Sequence, residues 1–403
     1  MKYLILALGV LMTASCKVST LPTEHTLISS TKNVNVGDFT ISSNDYSFKG
    51  PAWSVKKYTL HGGMQEGVEI IEIDNGKLLI KIIPTRGMNV MSVKSKDITL
   101  GWDSPVKEIV HPRNVNLDYN GGLGWLDSFN EWMMRCGIEY SGHPGEDNGR
   151  QLTLHGRIAH IPASEVKVSI EPKAPHRITV TGLVQEKWFK GANYELETSI
   201  STVPGSNSFR FDDKVTNLAS SEKEFQVLYH ANFAKELLEK GSKLHGTVKS
   251  VQPFDAFALK TLKTYQTYDA PGSVAPGGEK VYQIIPFADK EGNAHFVLQN
   301  ASGNKAVSFS YQIDSLPYFT QWKNEDSMEN GYVTGLEPGN SFPANRSHER
   351  KKGRIPKLKG GESVKYQLEY TLHSGKKDVS SALKKINDLN KGKKVKFITT
   401  PEH

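Results

Sequence analysis

Cysteine is nearly absent from this sequence, which has only Cys16 and Cys136 among 403 residues. Cys16 ends an N-terminal segment that differs in composition from the rest, which leaves Cys136 alone in the body of the chain. A single thiol excludes a framework of intramolecular disulfides, even in an oxidising compartment. We interpret Cys136 as a small buried hydrophobe, with a catalytic thiol as the alternative.

Long apolar runs are missing as well. Beyond the N-terminus the sequence contains no run of about eighteen apolar residues, so it predicts no membrane-spanning helix. Helical periodicity is restricted to residues 126–134 and to the C-terminal segment, and no repeat of fixed period is visible. These absences argue against helical bundles and repeat proteins.

The N-terminal segment MKYLILALGVLMTASC combines one lysine, a short apolar core and small residues before Cys16. This pattern is typical of a signal peptide over residues 1–16. The order Thr13-Ala14-Ser15-Cys16 resembles a bacterial lipobox, which implies a lipid on Cys16, membrane anchoring and a place in the bacterial cell envelope facing the periplasm or exterior. The lipobox prefers leucine where Thr13 stands, so plain cleavage is the alternative. Residues 17–45 predict a polar tether that leads into a first strand.

Positive charge is concentrated at the other end of the chain. The formal net charge is +7, but residues 376–396 hold eight lysines and two aspartates, so the rest is close to neutral. This distribution argues against a nucleic-acid partner. Within the tail of residues 376–403, four apolar residues follow helical spacing: Val379, Leu383, Ile386 and Leu389. We expect a short amphipathic helix with a lysine face that docks on the body, with contact to anionic lipid as the alternative.

Short alternating runs broken by Gly, Pro, Asn and Asp dominate residues 46–375. The clearest are KLLIKIIP, RITVTGLVQ, YELETSIST, SFRFDDKVTN, AVSFSYQI and VKYQLEYTL. Alternation of apolar and polar residues is the signature of a strand with one buried face. The sequence therefore predicts one large all-β domain, an antiparallel sandwich with few short helices.

Another alternating run, FQVLYHANFA, places His230 near the end of a predicted strand among aromatic residues. Taken alone, His230 is explained by a half-buried histidine bonded to a backbone carbonyl. Four other stretches place polar residues in apolar or turn contexts. They are IIPTRGMNV with Arg86, LTLHGRIAHIPA with His155 and Arg157, VQPFDAFAL with Asp255, and GLEPGNSFPANR with Glu337.

Each of these residues has an ordinary structural explanation. Arg86 can pair with a carboxylate, and Asp255 and Glu337 can be turn or loop residues. The spacing of His155 and His160 could suggest a metal pair on a helix, but the glycine and proline around them argue against a helix. The sequence accordingly predicts no metal and no cofactor.

Taken together, the motifs PTRGM, LHGRI, LYHANF, PFD and EPGN, in this order, resemble the aldose 1-epimerase (galactose mutarotase) superfamily, and in particular a branch of aldose-1-epimerase-like proteins. The resemblance covers roughly residues 50–372. It implies an antiparallel β-supersandwich with an open cleft that binds a monosaccharide or the end of an oligosaccharide. It also implies His230 as general acid and Glu337 as general base, with four residues on the sugar: Arg86, His155, Arg157 and Asp255.

Sugar anomers interconvert when a base removes the anomeric hydroxyl proton while an acid protonates the ring oxygen. We expect acid and base to approach a pyranose from opposite sides, tuned by aromatic neighbours such as Tyr229 and Phe233. Trp125 or Trp322 could stack on the sugar, although core packing is the better explanation for either one alone.

The chain also departs from the family, because Tyr229 stands where typical mutarotases have asparagine. Two other functions therefore stay open. One is a glycoside hydrolase or lyase that uses Glu337 with Asp255 as its two carboxylates. The other is a carbohydrate-binding protein without turnover. No motif distinguishes one sugar from another or indicates an oligomeric state.

Overall fold

A computed structural model describes residues 23–46 and 49–403 of the protein. The signal peptide, the lipidation of Cys16 and the start of the tether lie outside the described residues.

The described part of the chain is built mainly of strands. In chain order they are β1 Glu24–Ser29, β2 Val34–Asn35, β3 Phe39–Ser42, β4 Ser54–Thr59, β5 Glu69–Asp74, β6 Leu79–Ile83, β7 Asn89–Lys94, β8 Thr99–Leu100, β9 Met133–Ile138, β10 Gly145–Asp147, β11 Arg150–Leu152, β12 Glu165–Ile170, β13 Ile178–Lys187, β14 Asn193–Thr202, β15 Ser208–Asn217, β16 Lys223–Glu224, β17 Gln226–Phe233, β18 Lys243–Gly246, β19 Val248–Pro253, β20 Lys280–Pro286, β21 Asn293–Gln299, β22 Lys305–Gln312, β23 Tyr318–Asn324, β24 Val333–Gly339, β25 Lys357–Leu358, β26 Ser363–Ser374 and β27 Lys396–Phe397. The α-helices are α1 Tyr119–Gly122, α2 Ala256–Leu259, α3 Arg346–Lys351 and α4 Lys376–Asn390.

Two large sheets contain most of these strands. The ten-stranded sheet has the order β18-β21-β22-β26-β15-β14-β13-β12-β1-β2. The thirteen-stranded sheet has the order β27-β19-β20-β23-β24-β17-β9-β7-β6-β5-β4-β3, with β8 paired to β7. The strand pairs are antiparallel except for β19 with β27, which run parallel. This architecture confirms the predicted all-β antiparallel supersandwich.

One hydrophobic core lies between the two sheets and takes residues from both. Phe211 and Tyr370 of the ten-stranded sheet belong to it, as do Tyr229 and Phe319 of the thirteen-stranded sheet. Strands β13, β14 and β15 alternate between buried and partly exposed residues along most of their length, so one face covers the core and the other faces solvent. The strands of the thirteen-stranded sheet near its centre are different: every residue of β17 and of β24 is buried. A second layer of side chains therefore covers the outer face of that sheet.

The predicted strands are found where the alternating sequence runs occur, in β6, β13, β14, β15, β22 and β26. The helix predicted over residues 126–134 is wrong. A short 3-10 helix, Gly124–Ser128, is followed by an extended segment and by strand β9. Met133 contacts the inter-sheet core, whereas Met134 belongs to a separate outer cluster, so both faces of this strand are apolar. The buried residues of the outer cluster are Trp125, Phe129, Met134, Cys136, Leu154, Ala159 and Leu228. Strands buried on both faces lose the period of two that identifies them.

The prediction of a polar tether over residues 17–45 is wrong for its described part. Strand β1 pairs with β12 at the side of the ten-stranded sheet, and β3 pairs with β4 in the other sheet. Leu27 and Ile41 from these strands are buried in the core. Residues 24–42 thus connect the two sheets instead of hanging free.

The lysine-rich tail forms the expected amphipathic helix, α4. Val379 and Ile386 on its apolar face are buried against Val297 and Ala306 of the ten-stranded sheet. The chain then continues to β27, which adds to the outer strand β19 of the thirteen-stranded sheet. Within the described residues no helix is long and apolar enough to cross a membrane.

Candidate active site

The candidate site lies on the outer face of the thirteen-stranded sheet, where β23, β24 and β17 are neighbours. The register that pairs Ala231 with Leu336 places His230 of β17 opposite Glu337 of β24. Thr320 of β23 pairs with Glu337 on its other side. Directly opposite residues project to the same face of a sheet. The register therefore builds a polar row of Thr320, Glu337 and His230 across three strands.

His230 and Glu337 form a close buried pair at the centre of this row. The distance between His230 Nε2 and Glu337 Oε1 is 3.2 Å, and the two side chains are 6% and 2% exposed. Asn232, two residues further along β17, donates from its side-chain amide to the carbonyl of His230. The pair is thus fixed by the sheet itself and not by a loop.

Burial disfavours the charged form of both partners. It lowers the pKa of His230 to about 4. Burial, together with the negative charge of Glu279, raises the pKa of Glu337 well above its ordinary value. An ion pair and a neutral pair differ only in which partner holds one proton, so these shifts favour neutral imidazole beside protonated carboxyl.

Aromatic rings surround His230 on the side away from the core. The ring centroids of Phe129, Trp322 and Trp125 lie 5.3, 5.7 and 5.9 Å from that of His230. His155 lies 5.4 Å away and packs against Trp125 at 4.8 Å. These rings exclude water from the imidazole, which disfavours its charged form and lowers its pKa.

Together these groups line a cavity of about 440 Å³. This volume is in the range of small-molecule sites. The strands provide its floor, and loops around residues 123–129, 143–144, 154–155 and 343 provide its walls. The lining residues are Leu123, Trp125, Leu126, Phe129, His143, Pro144, Leu154, His155, His230, Glu279, Val281, Thr320, Trp322, Glu337 and Pro343.

Several buried polar atoms in this cavity have no hydrogen-bond partner within the described protein. They are His230 Nδ1, His155 Nδ1 and Thr320 Oγ1. Buried polar groups in folded proteins are nearly always paired, so a cluster of unpaired ones points to a polar ligand. The cavity therefore combines aromatic walls with polar groups that converge on one region.

Gly335, two residues before Glu337 on β24, leaves room for this pair. A Cβ atom at this position would lie 2.3 Å from Glu337 Oε1 and 3.1 Å from His230 Cε1. It would also lie 3.1 Å from Trp322 Cε3. Only glycine at this position allows the acid, the imidazole and the indole to meet.

An ion-pair cluster holds the wall near residues 143–144 and 343. Arg350 of α3 binds Asp147 of the β10–β11 hairpin and lies 2.7 Å from Glu224. Arg346 adds a contact of 3.5 Å with Glu224. The hairpin and α3 are thereby tied together next to the cavity, which supports His143 and Pro343 at its rim.

Of the residues predicted for the site, His155, His230 and Glu337 come together in the cavity. Arg86 does not line it. Its guanidinium is fully buried, with Nη2 2.7 Å from Glu131 Oε1 and within hydrogen-bond distance of the carbonyl and hydroxyl of Ser128. Since Ser128 precedes Phe129, Arg86 supports the aromatic wall from behind instead of contacting a ligand.

Arg157 and Asp255 are also outside the lining residues. Arg157 is exposed. Asp255 caps helix α2, because its side chain accepts a hydrogen bond from the backbone N–H of Ala258 at 2.8 Å. The structure thus gives Asp255 a helix-capping role, and neither residue lines the cavity.

The prediction that Tyr229 and Phe233 shift the pKa values of the His230–Glu337 pair is also wrong. Tyr229 and Phe233 face the inter-sheet core, and the Tyr229 hydroxyl donates to Asp213 at 2.7 Å. Trp125 and Trp322 line the cavity instead. Cys136 is a free, fully buried thiol packed against the same outer cluster, as interpreted from the sequence.

Glu279 is a functional candidate that the sequence did not reveal. Its carboxylate accepts a hydrogen bond from Trp322 Nε1 at 2.5 Å at the open side of the cavity. Partial burial is the main reason why its pKa is raised, and the charge of Asp255 adds to the effect. Glu279 lies in GGEK, an ordinary polar loop, so no periodicity or motif marks it. Thr320 and His143 were missed for the same reason.

Metal ligation is not indicated by the described residues, which contain no group of three or more His, Cys, Asp or Glu side chains arranged to hold an ion. His160, which the sequence pairs with His155, instead binds the hydroxyl of Ser128 at 2.7 Å.

Comparison with known proteins agrees with this architecture. Residues 65–372 match the family described as a domain of unknown function, DUF4432. A candidate aldose 1-epimerase from Klebsiella pneumoniae is 39% identical, with a TM-score of 0.91 over 94% of this chain and 98% of that one. No curated protein sequence matches the chain.

More distant structures share the fold alone. A galactose mutarotase-like protein from Clostridium acetobutylicum has 16% identity and a TM-score of 0.52, over 79% of this chain and 98% of that one. A galactose 1-epimerase from Lactobacillus acidophilus has 10% identity and a TM-score of 0.51, over 80% and 99%. The chain belongs to the DUF4432 family, an aldose 1-epimerase-like branch with the galactose mutarotase fold.

Proposed function

We propose that the protein is an aldose 1-epimerase-like enzyme that interconverts the anomers of a sugar by opening and closing its ring. The observation that carries the proposal is the buried pair of His230 and Glu337, 3.2 Å apart at the floor of a cavity. Unpaired polar atoms around the pair supply contacts for sugar hydroxyls, and aromatic walls supply surfaces for the apolar faces of the ring.

The spacing of the pair fits the reaction better than the separation expected from the sequence. The anomeric hydroxyl and the ring oxygen are bonded to the same carbon. Two proton-transfer groups that serve these oxygens must therefore lie side by side, not across the width of a pyranose. Neighbouring positions on two adjacent strands provide this geometry.

The shifted pKa values reverse the assignment made from the sequence. Neutral His230 is the better base, and protonated Glu337 is the better acid. His230 takes the proton of the anomeric hydroxyl while Glu337 protonates the ring oxygen. The open-chain sugar then faces an imidazolium and a carboxylate, and ring closure on either face returns both protons to their starting groups.

The two alternatives have less support. Asp255 caps a helix and does not line the cavity, which argues against Glu337 and Asp255 as the two carboxylates of a hydrolase. Binding without turnover would not require an acid and a base side by side, and burying two ionisable groups is costly unless they serve a purpose.

The test is anomer exchange measured by NMR on a panel of neutral aldoses. We expect Glu337→Gln and His230→Asn each to lower the exchange rate by about two to four orders of magnitude, which is the usual effect of one general acid or base. Affinity should change much less, since a lost neutral hydrogen bond contributes about 0.5–1.5 kcal/mol.

Matched controls are Glu197→Gln and His245→Asn, which make the same exchanges in the ten-stranded sheet. They should leave exchange unchanged. Wild-type exchange in both Glu337→Gln and His230→Asn would refute the assignment. Release of new reducing ends from oligosaccharides would instead identify a hydrolase.

A further inference from the structure

The cavity has an unbalanced charge that the proposed reaction does not require. Glu279 lines it beside Glu337, which holds a proton in the proposed pair, and among the lining residues of the described chain there is no lysine or arginine. The charge that acts on Glu337 is that of Glu279, and the charge that acts on Glu279 is that of Asp255. Each of these acidic groups thus raises the pKa of the next.

The histidines of the cavity do not compensate this charge. Burial lowers the pKa of His143, His155 and His230, so all three are neutral at neutral pH. The pKa of His143 is lowered further by the neighbouring His403, and that of His155 by His230. Any net charge in the cavity near pH 7 is therefore negative.

The nearest lysine in the sequence is directed elsewhere. Lys280 follows Glu279 but occupies the opposite face of β20, where its Nζ lies 2.6 Å from Glu325 and 2.9 Å from Asp269. Glu279 remains at the open side, oriented by the indole N–H of Trp322. A ligand that enters the cavity therefore passes a carboxylate that no lysine or arginine of the described residues pairs with.

We propose that Glu279 makes the cavity select against negatively charged sugars, such as uronic acids and sugar phosphates, in favour of neutral ones. The inference rests on the proposed function only in taking a sugar as the ligand. A like charge placed a few ångströms from Glu279 is repelled, and the repulsion is strengthened where protein replaces water. Glu279 acts as a specificity residue and takes no part in proton transfer.

The test compares sugars that differ only in charge. Glucose with glucuronate and galactose with galacturonate differ only in having CH₂OH or COO⁻ at C6. Binding is measured by calorimetry with wild type, Glu279→Gln and the control Glu197→Gln, whose carboxylate is exposed on the other sheet. The amide introduced by Glu279→Gln keeps an acceptor for Trp322 and removes the charge.

We expect wild type to bind the neutral sugar at least about tenfold more tightly than its uronate, and Glu279→Gln to reduce this ratio about tenfold. Glu197→Gln should keep the wild-type ratio. Added salt should reduce the ratio in wild type more than in Glu279→Gln. A wild-type preference for a uronate, or an unchanged ratio in Glu279→Gln, overturns the inference.

A second measurement needs no sugar. Iodide, an anion, and acrylamide, which is neutral, quench the fluorescence of accessible tryptophans, and Trp322 lines the cavity. Glu279→Gln should increase quenching by iodide and not by acrylamide, whereas Glu197→Gln should change neither. If none of the four sugars binds, this result decides: unchanged iodide quenching overturns the inference.

The two proposals can fail separately. Exchange on neutral sugars with an unchanged binding ratio and unchanged iodide quenching would leave the proposed function and remove the role of Glu279. If Glu279→Gln reduces the binding ratio but wild type shows no anomer exchange, the role of Glu279 stands and the proposed function fails.

Discussion

Gly335 offers a way to displace His230 and Glu337, the two groups proposed to transfer protons, without changing their chemistry. In Gly335→Ala the new Cβ would lie 2.3 Å from Glu337 Oε1, so the oxygen must move by about 1 Å to reach ordinary contact. The carboxyl and imidazole keep their identity, and only their placement changes. A misplacement of about 1 Å in an active site can reduce the rate about a hundredfold.

The effect on stability should be small by comparison. Alanine in a strand is favoured over glycine by roughly 0.5–1 kcal/mol, while overpacking costs about 1–3 kcal/mol. The net loss lies between about 0 and 2.5 kcal/mol, which for a chain of 403 residues lowers Tm by only a few degrees. We therefore expect folded protein with about one hundredth of the exchange rate.

Gly182→Ala is the matched control, because its Cβ would lie 2.5 Å from Met88 Cγ, within the inter-sheet core. It should lower Tm by a similar amount and leave exchange unchanged. Anomer exchange by NMR and thermal unfolding by calorimetry measure the two effects on the same samples. Full exchange in folded Gly335→Ala would show that the position of Glu337 does not set the rate.

Two more predictions concern the buried ionisable groups. The exchange rate should fall on the acid side near pH 4, where His230 becomes protonated while Glu337 still holds its proton. It should also fall on the alkaline side, where Glu337 loses its proton well above the usual glutamate pKa. A pH profile of the exchange rate measures both limbs, and an acid limb at the ordinary histidine pKa of about 6.5 would contradict the neutral pair. Glu131→Gln leaves the Arg86 guanidinium buried without its carboxylate. It should therefore lower the free energy of unfolding, measured by urea titration, by about 3–5 kcal/mol. A decrease below about 1 kcal/mol would show that Arg86 has another partner.

Much of the fold could be predicted from the sequence because most of the ten-stranded sheet has one face in water. Alternation in YELETSIST and SFRFDDKVTN corresponds directly to strands β14 and β15. The same reasoning failed for residues 126–134, where both faces are covered and the period disappears. It also failed for residues 24–42, whose polar composition conceals short strands at the sides of both sheets.

The site could be predicted in part, and only through the family resemblance. His230 and Glu337 are 107 positions apart in the chain and meet because β17 and β24 happen to be neighbours in register, which no local pattern determines. Arg86 carries the expected motif, but Glu131 neutralises it inside the protein. Glu279 has no motif at all, and its importance comes only from its position beside Trp322.

The cavity has a floor of strands and walls of loops. This division separates the position of the His230–Glu337 pair from the shape of the walls that surround a ligand, two properties that often change together. His230 and Glu337 are held by cross-strand hydrogen bonds, whereas Trp125, His143 and Glu279 come from connecting segments. Segments between strands tolerate substitution and insertion far better than the strands do. Loop replacements should therefore change which ligands fit the cavity while the His230–Glu337 pair stays in place, which makes the scaffold a candidate starting point for engineering.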